Sequence, residues 1–119
     1  MGSYKILVLE EETIVAEDIR DCLQNAGYEV ERVSSLSDAL EKSSEFKPDL
    51  VLVGVVSRDG HNEVEAASQI ASGNPNHLKF IFMVSKPLYI DGQIEHYQLL
   101  QKPFVMDELL QLIRQQFQS

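Results

Sequence analysis

Residue types that bind cations or phosphoryl groups follow three of the short apolar runs in this chain. Glu10, Glu11 and Glu12 come directly after the first run, Ser85 follows a later one, and Lys102 follows the last. Three adjacent carboxylates repel one another, so the cluster favours either a bound cation or uptake of a proton. Carboxylate oxygens suit Mg²⁺ or Ca²⁺, and a hydroxyl beside a lysine suits phosphoryl oxygens. These residues therefore predict cation and phosphoryl chemistry where a fold brings them together.

Two alternating hydrophobic periods indicate the elements that position these residues. Continuous apolar runs predict buried strands at 5–9, 50–53 with an extension through 56, and 80–84. A weaker strand is predicted over 28–33, and Leu99-Leu100 marks a short fifth strand. Helical spacing predicts helices over 13–26, 36–46, 64–71 and 107–117. Thr13 is the predicted N-cap of the first helix, and Ser35 with Asp38 resembles a capping box for the second. Pro87 and Gly92 limit any helix over 86–97 to one or two turns.

This alternation predicts an α/β fold with a doubly wound, five-stranded parallel sheet, (βα)5, and a shortened or irregular fourth helix. The 119 residues suit one domain, expected over 4–118. Ligands of such sheets bind at the carboxyl ends of the strands. The clustered glutamates, the serine and the lysine are therefore expected at one edge of the sheet.

The charge of the chain is strongly negative and unevenly distributed. The net charge is −9, and residues 1–65 hold 15 acids and 6 bases while the remainder holds 4 of each. This balance argues against a nucleic-acid or anionic-membrane surface and suits a cation or basic partners. The single cysteine, Cys22, excludes an internal disulfide and fits a reducing cytoplasm. No apolar stretch approaches the length of a membrane span.

Several blocks of the sequence together resemble one known family. They are Lys5-Ile6-Leu7-Val8-Leu9-Glu10-Glu11-Glu12, Gly27-Tyr28-Glu29-Val30, Ala39-Leu40-Glu41, Pro48-Asp49-Leu50-Val51-Leu52 and Lys102-Pro103-Phe104 before Glu108-Leu109. In order and spacing they are similar to the CheY-like receiver domains of response regulators, over nearly the whole chain. The resemblance implies a flavodoxin-like fold, a cytoplasmic, non-enzymatic role in two-component phosphorelay signalling, and a sensor histidine kinase or an output domain as partner. A homodimer is a further expected assembly.

The resemblance also implies a role for each of the singled-out residues. Glu10 and Glu11 match the acidic pair that holds Mg²⁺ in the family, Ser85 the hydroxyl, and Lys102 the lysine that contacts the phosphoryl group. The family's phosphoacceptor is an aspartate at the end of the third strand, where this chain has Gly54. Glycine has no nucleophile for an acyl phosphate and no metal ligand. We therefore expect no phosphorylation at residue 54, and weak or absent Mg²⁺ binding at Glu10 and Glu11.

A second departure from the family lies between the fourth and fifth strands. Ser85 and Lys102 are 17 positions apart, shorter than the family's usual spacing by more than one helical turn of about 3.6 residues. Leu99 stands where the family usually has an aromatic residue. Both changes affect parts that transmit phosphorylation in the family. The chain therefore resembles a pseudo-receiver, which does not switch by phosphorylation.

Alternative interpretations remain open. Asp59, in the loop after the third strand, could serve as a substitute phosphoacceptor. A small flavodoxin-like catalyst is disfavoured, because no glycine-rich phosphate loop follows the first strand and three glutamates there repel a phosphate. His61 and His77 are interpreted as solvated surface residues.

Two predictions concern the space left by the departures from the family. Lys102 is expected to pair with Glu11 across the empty acceptor position. The apolar residues Leu88, Tyr89 and Ile90 either fill the space of the lost helix or form a partner surface.

Overall fold

The computed structural model describes residues 3–73, 78–88, 90, 94 and 96–118. The helices and strands, in chain order, are β1 Lys5–Leu9, α1 Thr13–Asn25, β2 Glu29–Val33, α2 Leu36–Phe46, β3 Leu50–Gly54, α3 His61–Ser72, β4 Lys79–Val84, β5 Tyr97–Gln101 and α4 Met106–Gln118. This order confirms the predicted alternation of strands and helices. No helix in the described ranges is long and apolar enough to cross a membrane.

The five strands form one parallel sheet in the order β2-β1-β3-β4-β5. Leu9 lies beside Val53, and Gly54 lies beside Met83, so the ends of β1, β3 and β4 are close together. Because all strands run in the same direction, their carboxyl ends meet at one edge. The predicted doubly wound five-stranded sheet is confirmed.

Helices cover both faces of the sheet. Leu7 of β1 packs in one buried cluster with residues of α2 and α3, while its neighbour Ile6 packs in a second cluster with residues of α1 and α4. Successive strand side chains point to opposite faces, so a strand buried on both sides must be apolar at every position. This is why the β1 and β3 sequences are uninterrupted apolar runs.

The sequence signals for helix and strand ends predicted some of these ends correctly and others wrongly. The Ser35 side chain accepts a hydrogen bond from Asp38 N at 3.2 Å, which confirms the predicted cap of α2. The predicted N-cap at Thr13 is wrong, because Glu12 occupies that position, without a side-chain cap, and Thr13 is already helical. The predicted extension of the third strand to residue 56 is also wrong, because pairing ends at Gly54 and the chain turns into the loop before α3.

The connection between β4 and β5 replaces a helix with packed irregular chain. None of its described residues, 85–88, 90, 94 and 96, is helical. Ile90 and Ile94 are buried, and Leu88 packs partly buried against the same cluster as α2 and α3. Leu88 and Ile90 therefore fill the space of the missing helix. Tyr89 and His77 lie outside the described residues.

Candidate functional site

Four of the predicted site positions come to the carboxyl edge of the sheet. Glu10 directly follows β1, Gly54 ends β3, Ser85 directly follows β4 and Lys102 directly follows β5. These strands are neighbours in the order β1-β3-β4-β5. Residues that are far apart in the sequence are therefore brought to the same edge of the sheet.

The carboxylate of Glu10 lies directly against Gly54. A Cβ atom built on Gly54 would be 2.7 Å from Glu10 Oε1 and 3.1 Å from Glu10 Oε2. Glu10 is 2% exposed, so its carboxyl group is buried at this point. The space from which a side chain at position 54 would extend is therefore filled by Glu10.

Lys102 compensates the buried charge of Glu10. Its Nζ lies 3.4 Å from Glu10 Oε1, and the other oxygen, Oε2, accepts a hydrogen bond from Glu12 N at 3.3 Å. A backbone hydrogen bond from Lys102 N to Val84 O, at 2.7 Å, ties Lys102 to the end of β4. The Lys102–Pro103 peptide bond is cis.

The predicted pairing of Lys102 with Glu11 is wrong, since Lys102 pairs with Glu10. Successive side chains leaving a strand point in opposite directions, and here Glu10 points inward while Glu11 is exposed. Glu11 lines a separate cleft of about 250 Å³, which also borders Gly54 and Glu63. The acidic pair of the sequence is therefore split between two environments.

Ser85 and Asp59 line another cleft, of about 220 Å³, between the loop before α3 and the segment after β4. Among the described residues, Glu10, Gly54 and Lys102 do not line it. Ser85 is exposed, and its carbonyl accepts a hydrogen bond from Gln101 Nε2 at 2.9 Å. Asp59 is exposed, and its Oδ1 accepts from His61 N at 3.0 Å. Asp59 thus holds the first turn of α3, and its role as a substitute acceptor stays a prediction.

Sequence reasoning missed a second buried carboxylate near the site, Glu63 in the first turn of α3. Glu63 Oε2 accepts hydrogen bonds from Val56 N at 3.1 Å and Ser57 N at 3.2 Å, and Ser57 Oγ donates to Oε1. The signal was a glutamate in the first turn of a helix that follows a polar loop, a common place for an anion. Glu63 therefore holds the backbone of Val56 and Ser57, which follows the end of β3 at Gly54.

The described residues do not fit the family's magnesium arrangement. No three histidine, cysteine, aspartate or glutamate side chains in the described part of the chain come together as a metal site. Glu10 already forms an ion pair with Lys102 and accepts a hydrogen bond from a backbone N–H, and Gly54 supplies no carboxylate. Weak or absent Mg²⁺ binding stays a prediction.

Gly54→Ala is expected to lower the free energy of unfolding by about 1–2 kcal/mol, because the new methyl group displaces the Glu10 carboxylate from Lys102. In a Glu10→Ala background the same change is expected to stabilise by about 0.5 kcal/mol, because alanine in a strand is less flexible than glycine. Urea denaturation of the four proteins measures both values. Equal effects of Gly54→Ala in the two backgrounds would contradict the contact.

Comparisons with known proteins place this geometry in a known class of fold. The receiver domain of sensor histidine kinase PA1611 from Pseudomonas aeruginosa PAO1, solved with a magnesium ion in its active-site cleft, matches with a TM-score of 0.81 and 21% identity, over 99% of this chain and 100% of that one. The chemotaxis response regulator CheY4 of Vibrio cholerae matches with a TM-score of 0.81 and 20% identity, over 96% and 98%. The response regulator PhyR from Brucella abortus matches with a TM-score of 0.76 and 26% identity, over 95% of this chain and 47% of that one.

The sequence relatives match over less of this chain or over a smaller part of their own length. The probable transcriptional regulator ycf29 of Porphyra purpurea is 25% identical over 94% of this chain and 56% of its own length. The transcriptional regulatory protein PdtaR of Mycobacterium tuberculosis is 37% identical over 71 residues, 57% of this chain and 33% of its own length. The chain thus spans about half or less of these relatives. No protein-family model matches it.

The sheet order, the helices on both faces and the similar solved structures all indicate the same fold. The chain has the α/β fold of CheY-like response regulator receiver domains.

Proposed function

We propose that this chain is a pseudo-receiver, a cytoplasmic and non-enzymatic module of a two-component signalling system. It acts through protein contacts with a sensor histidine kinase or with an output domain of the same system, and it carries no phosphoryl group at residue 54. The receiver fold supports this proposal, as do neighbours and relatives that are described as a kinase receiver domain, response regulators and transcriptional regulators.

The observation that carries the proposal is the contact between Glu10 and Gly54. An acyl phosphate needs a carboxylate nucleophile at the end of β3, and glycine has none. The place of that side chain is taken by the Glu10 carboxylate, which Lys102 already neutralises. Both groups that would attract a phosphoryl group and its metal are thus paired with each other. In this proposal the Glu10–Lys102 ion pair occupies the place where the family carries its phosphoryl group.

Exposed apolar side chains around the same edge support a role in protein contacts. Ile14 in the first turn of α1, Val56 after β3 and Val105 after β5 are all exposed. Each belongs to a segment that follows a strand at the carboxyl edge. Isolated exposed apolar residues are ordinary, but three around one edge favour a protein-contact surface.

Incubation with acetyl phosphate and Mg²⁺, followed by intact-mass measurement, tests the proposal. The expected result is an unchanged mass, whereas a phosphorylated protein would be heavier by about 80 Da. A receiver that retains an aspartate at the end of its third strand is the positive control. An adduct that disappears in Asp59→Asn would instead establish Asp59 as a substitute acceptor and overturn the proposal.

A further inference from the structure

β2 is an outer strand of the sheet, and within the described part of the chain only one of its two edges is paired. The paired edge faces β1, where Val33 O accepts a hydrogen bond from Glu10 N at 3.2 Å. Along a strand, the backbone N–H and C=O groups of successive residues point to opposite edges. The odd-numbered residues of β2 therefore bond to β1, and the backbone groups of Val30 and Arg32 face the open edge.

A cleft of about 440 Å³ lies beside this open edge. Arg32, whose backbone faces the open edge, lines one side of the cleft together with the residues that end β2. The other side is one face of α2, on which side chains three and four positions apart are neighbours; its lining residues are Asp38, Glu41, Lys42 and Glu45. The cleft leaves room for an added strand next to β2.

The α2 side of this edge carries four acids without a partner. Within the described residues, the side chains of Glu29, Glu31, Asp38 and Glu41 form no ion pair or hydrogen bond. Glu31 lies beside Leu7 in the sheet, and Leu7 packs on the side of α2 and α3. Because alternate residues of a strand share a face, Glu29 and Glu31 project to the same side as the acids of α2.

The cations of the cleft do not neutralise these four acids. Arg32 pairs with Glu17 of α1 at 3.6 Å, and Lys42 pairs with Glu45 at 3.8 Å. The whole net charge of −9 is carried by residues 1–65, which include β2 and α2. The open edge therefore combines unpaired backbone groups with a local negative charge, which a basic partner complements.

We propose that the open edge of β2 binds an extended segment of a partner protein that has lysine or arginine at alternate positions. Hydrogen bonds to the backbone of Val30 and Arg32 supply affinity, as they do wherever a peptide adds a strand to a sheet edge. Every second side chain of an extended segment lies on one face, so the basic residues meet the acids on the α2 side. A second copy of this chain is a poor occupant, because two paired β2 strands would bring like-charged glutamates together.

This inference goes beyond the proposed function and does not rest on it. Glu10, Gly54 and Lys102 are absent from the described lining of the cleft beside β2. Strand addition at this edge and phosphorylation at the carboxyl edge are measured by different experiments. Failure of either proposal therefore leaves the other standing.

The probe that tests the site is a seven-residue peptide that alternates lysine with threonine or valine and has acetylated and amidated ends. It is titrated into the ¹⁵N-labelled protein at constant ionic strength and followed by NMR. The expected result is a saturable shift of the Val30 and Arg32 amide signals, with slower hydrogen exchange of these two N–H groups. The same peptide with glutamate in place of lysine is expected to show no saturable binding.

Methylation of the peptide backbone separates strand addition from simple charge attraction. One version is methylated on the backbone nitrogens of its lysines and the other on those of the intervening residues, so both keep the same charge. Only one set of N–H groups can face β2, so one version is expected to bind at least about tenfold more weakly than the other. Equal affinity of the two versions would overturn the proposal.

Charge variants test the acids of α2. The double variant Asp38→Asn, Glu41→Gln is expected to weaken peptide binding at least about threefold. The matched control, Asp107→Asn with Glu65→Gln, makes the same charge change at exposed helical positions outside the described lining and is expected to alter binding less than about 1.5-fold. Equal weakening by both variants would overturn the proposal. Slower exchange at the β5 edge alone, or slower exchange at β2 that depends on protein concentration without peptide, would do the same.

Discussion

Lys102→Met is expected to destabilise the protein by about 2–3 kcal/mol at neutral pH, one of the two largest effects that we predict. The Glu10 side chain is 1% exposed, and its partner Lys102 is 25% exposed. Methionine keeps most of the length of lysine but removes the charge. Glu10 would then be a buried carboxylate with one hydrogen bond, from Glu12 N, and no cation beside it.

A double variant in which both partners are uncharged separates the effect of the lost charge from the effect of changed packing. In the Lys102→Met background, Glu10→Gln is expected to restore at least about 1.5 kcal/mol, since a neutral amide needs no cation and its oxygen still accepts from Glu12 N. Lys42→Met is the control, because Lys42 pairs with Glu45 at 3.8 Å on the surface and should cost under about 0.5 kcal/mol. Equal losses for Lys42→Met and Lys102→Met in urea denaturation would contradict the buried ion pair.

Glu63→Ala is expected to cost a similar amount, about 2–3 kcal/mol. The carboxylate is almost fully buried and accepts hydrogen bonds from two backbone N–H groups and from the Ser57 hydroxyl. Alanine would leave these donors without their acceptor and would open a cavity under the loop after Gly54. Thermal denaturation monitored by circular dichroism measures the loss.

Glu65→Ala provides the matched control for the Glu63 prediction. Glu65 lies on the same helix but is exposed, and it contacts His61 at 3.4 Å on the surface. Its removal should change the unfolding free energy by under about 0.5 kcal/mol. If the two variants had the same stability, the hydrogen bonds of Glu63 would be worth little, and the loop would be held by other contacts.

Much of the fold could be predicted from local pattern. A strand buried on both faces must be apolar at every position, so β1, β3 and β4 were recognisable as continuous runs. The cap of α2 was recognisable because a serine with a free backbone N–H three residues later satisfies the helix start locally. Neither feature depends on distant parts of the chain.

The sequence predictions failed where contacts made in the folded protein determine the structure. The first helix includes Thr13, although threonine is a favoured cap, because Glu12, with extended backbone, takes the N-cap position after β1. Glu63 was overlooked, because a single acid in a helix is usually exposed, and its burial depends on the loop that folds over it. The choice of Glu10 over Glu11 as the partner of Lys102 could not be made from adjacent identical residues.

The amino-acid sequence alone indicated the parallel α/β fold, the edge at which the site lies and the absence of a nucleophile at Gly54. Only the tertiary structure showed that the Glu10 carboxylate occupies the space beside Gly54 and pairs with Lys102, a residue 92 positions away. The physical reason is that a glutamate side chain has several staggered conformations of similar energy. The empty space over a glycine and a cation on another strand select one of them, and both exist only once β1, β3 and β5 are assembled.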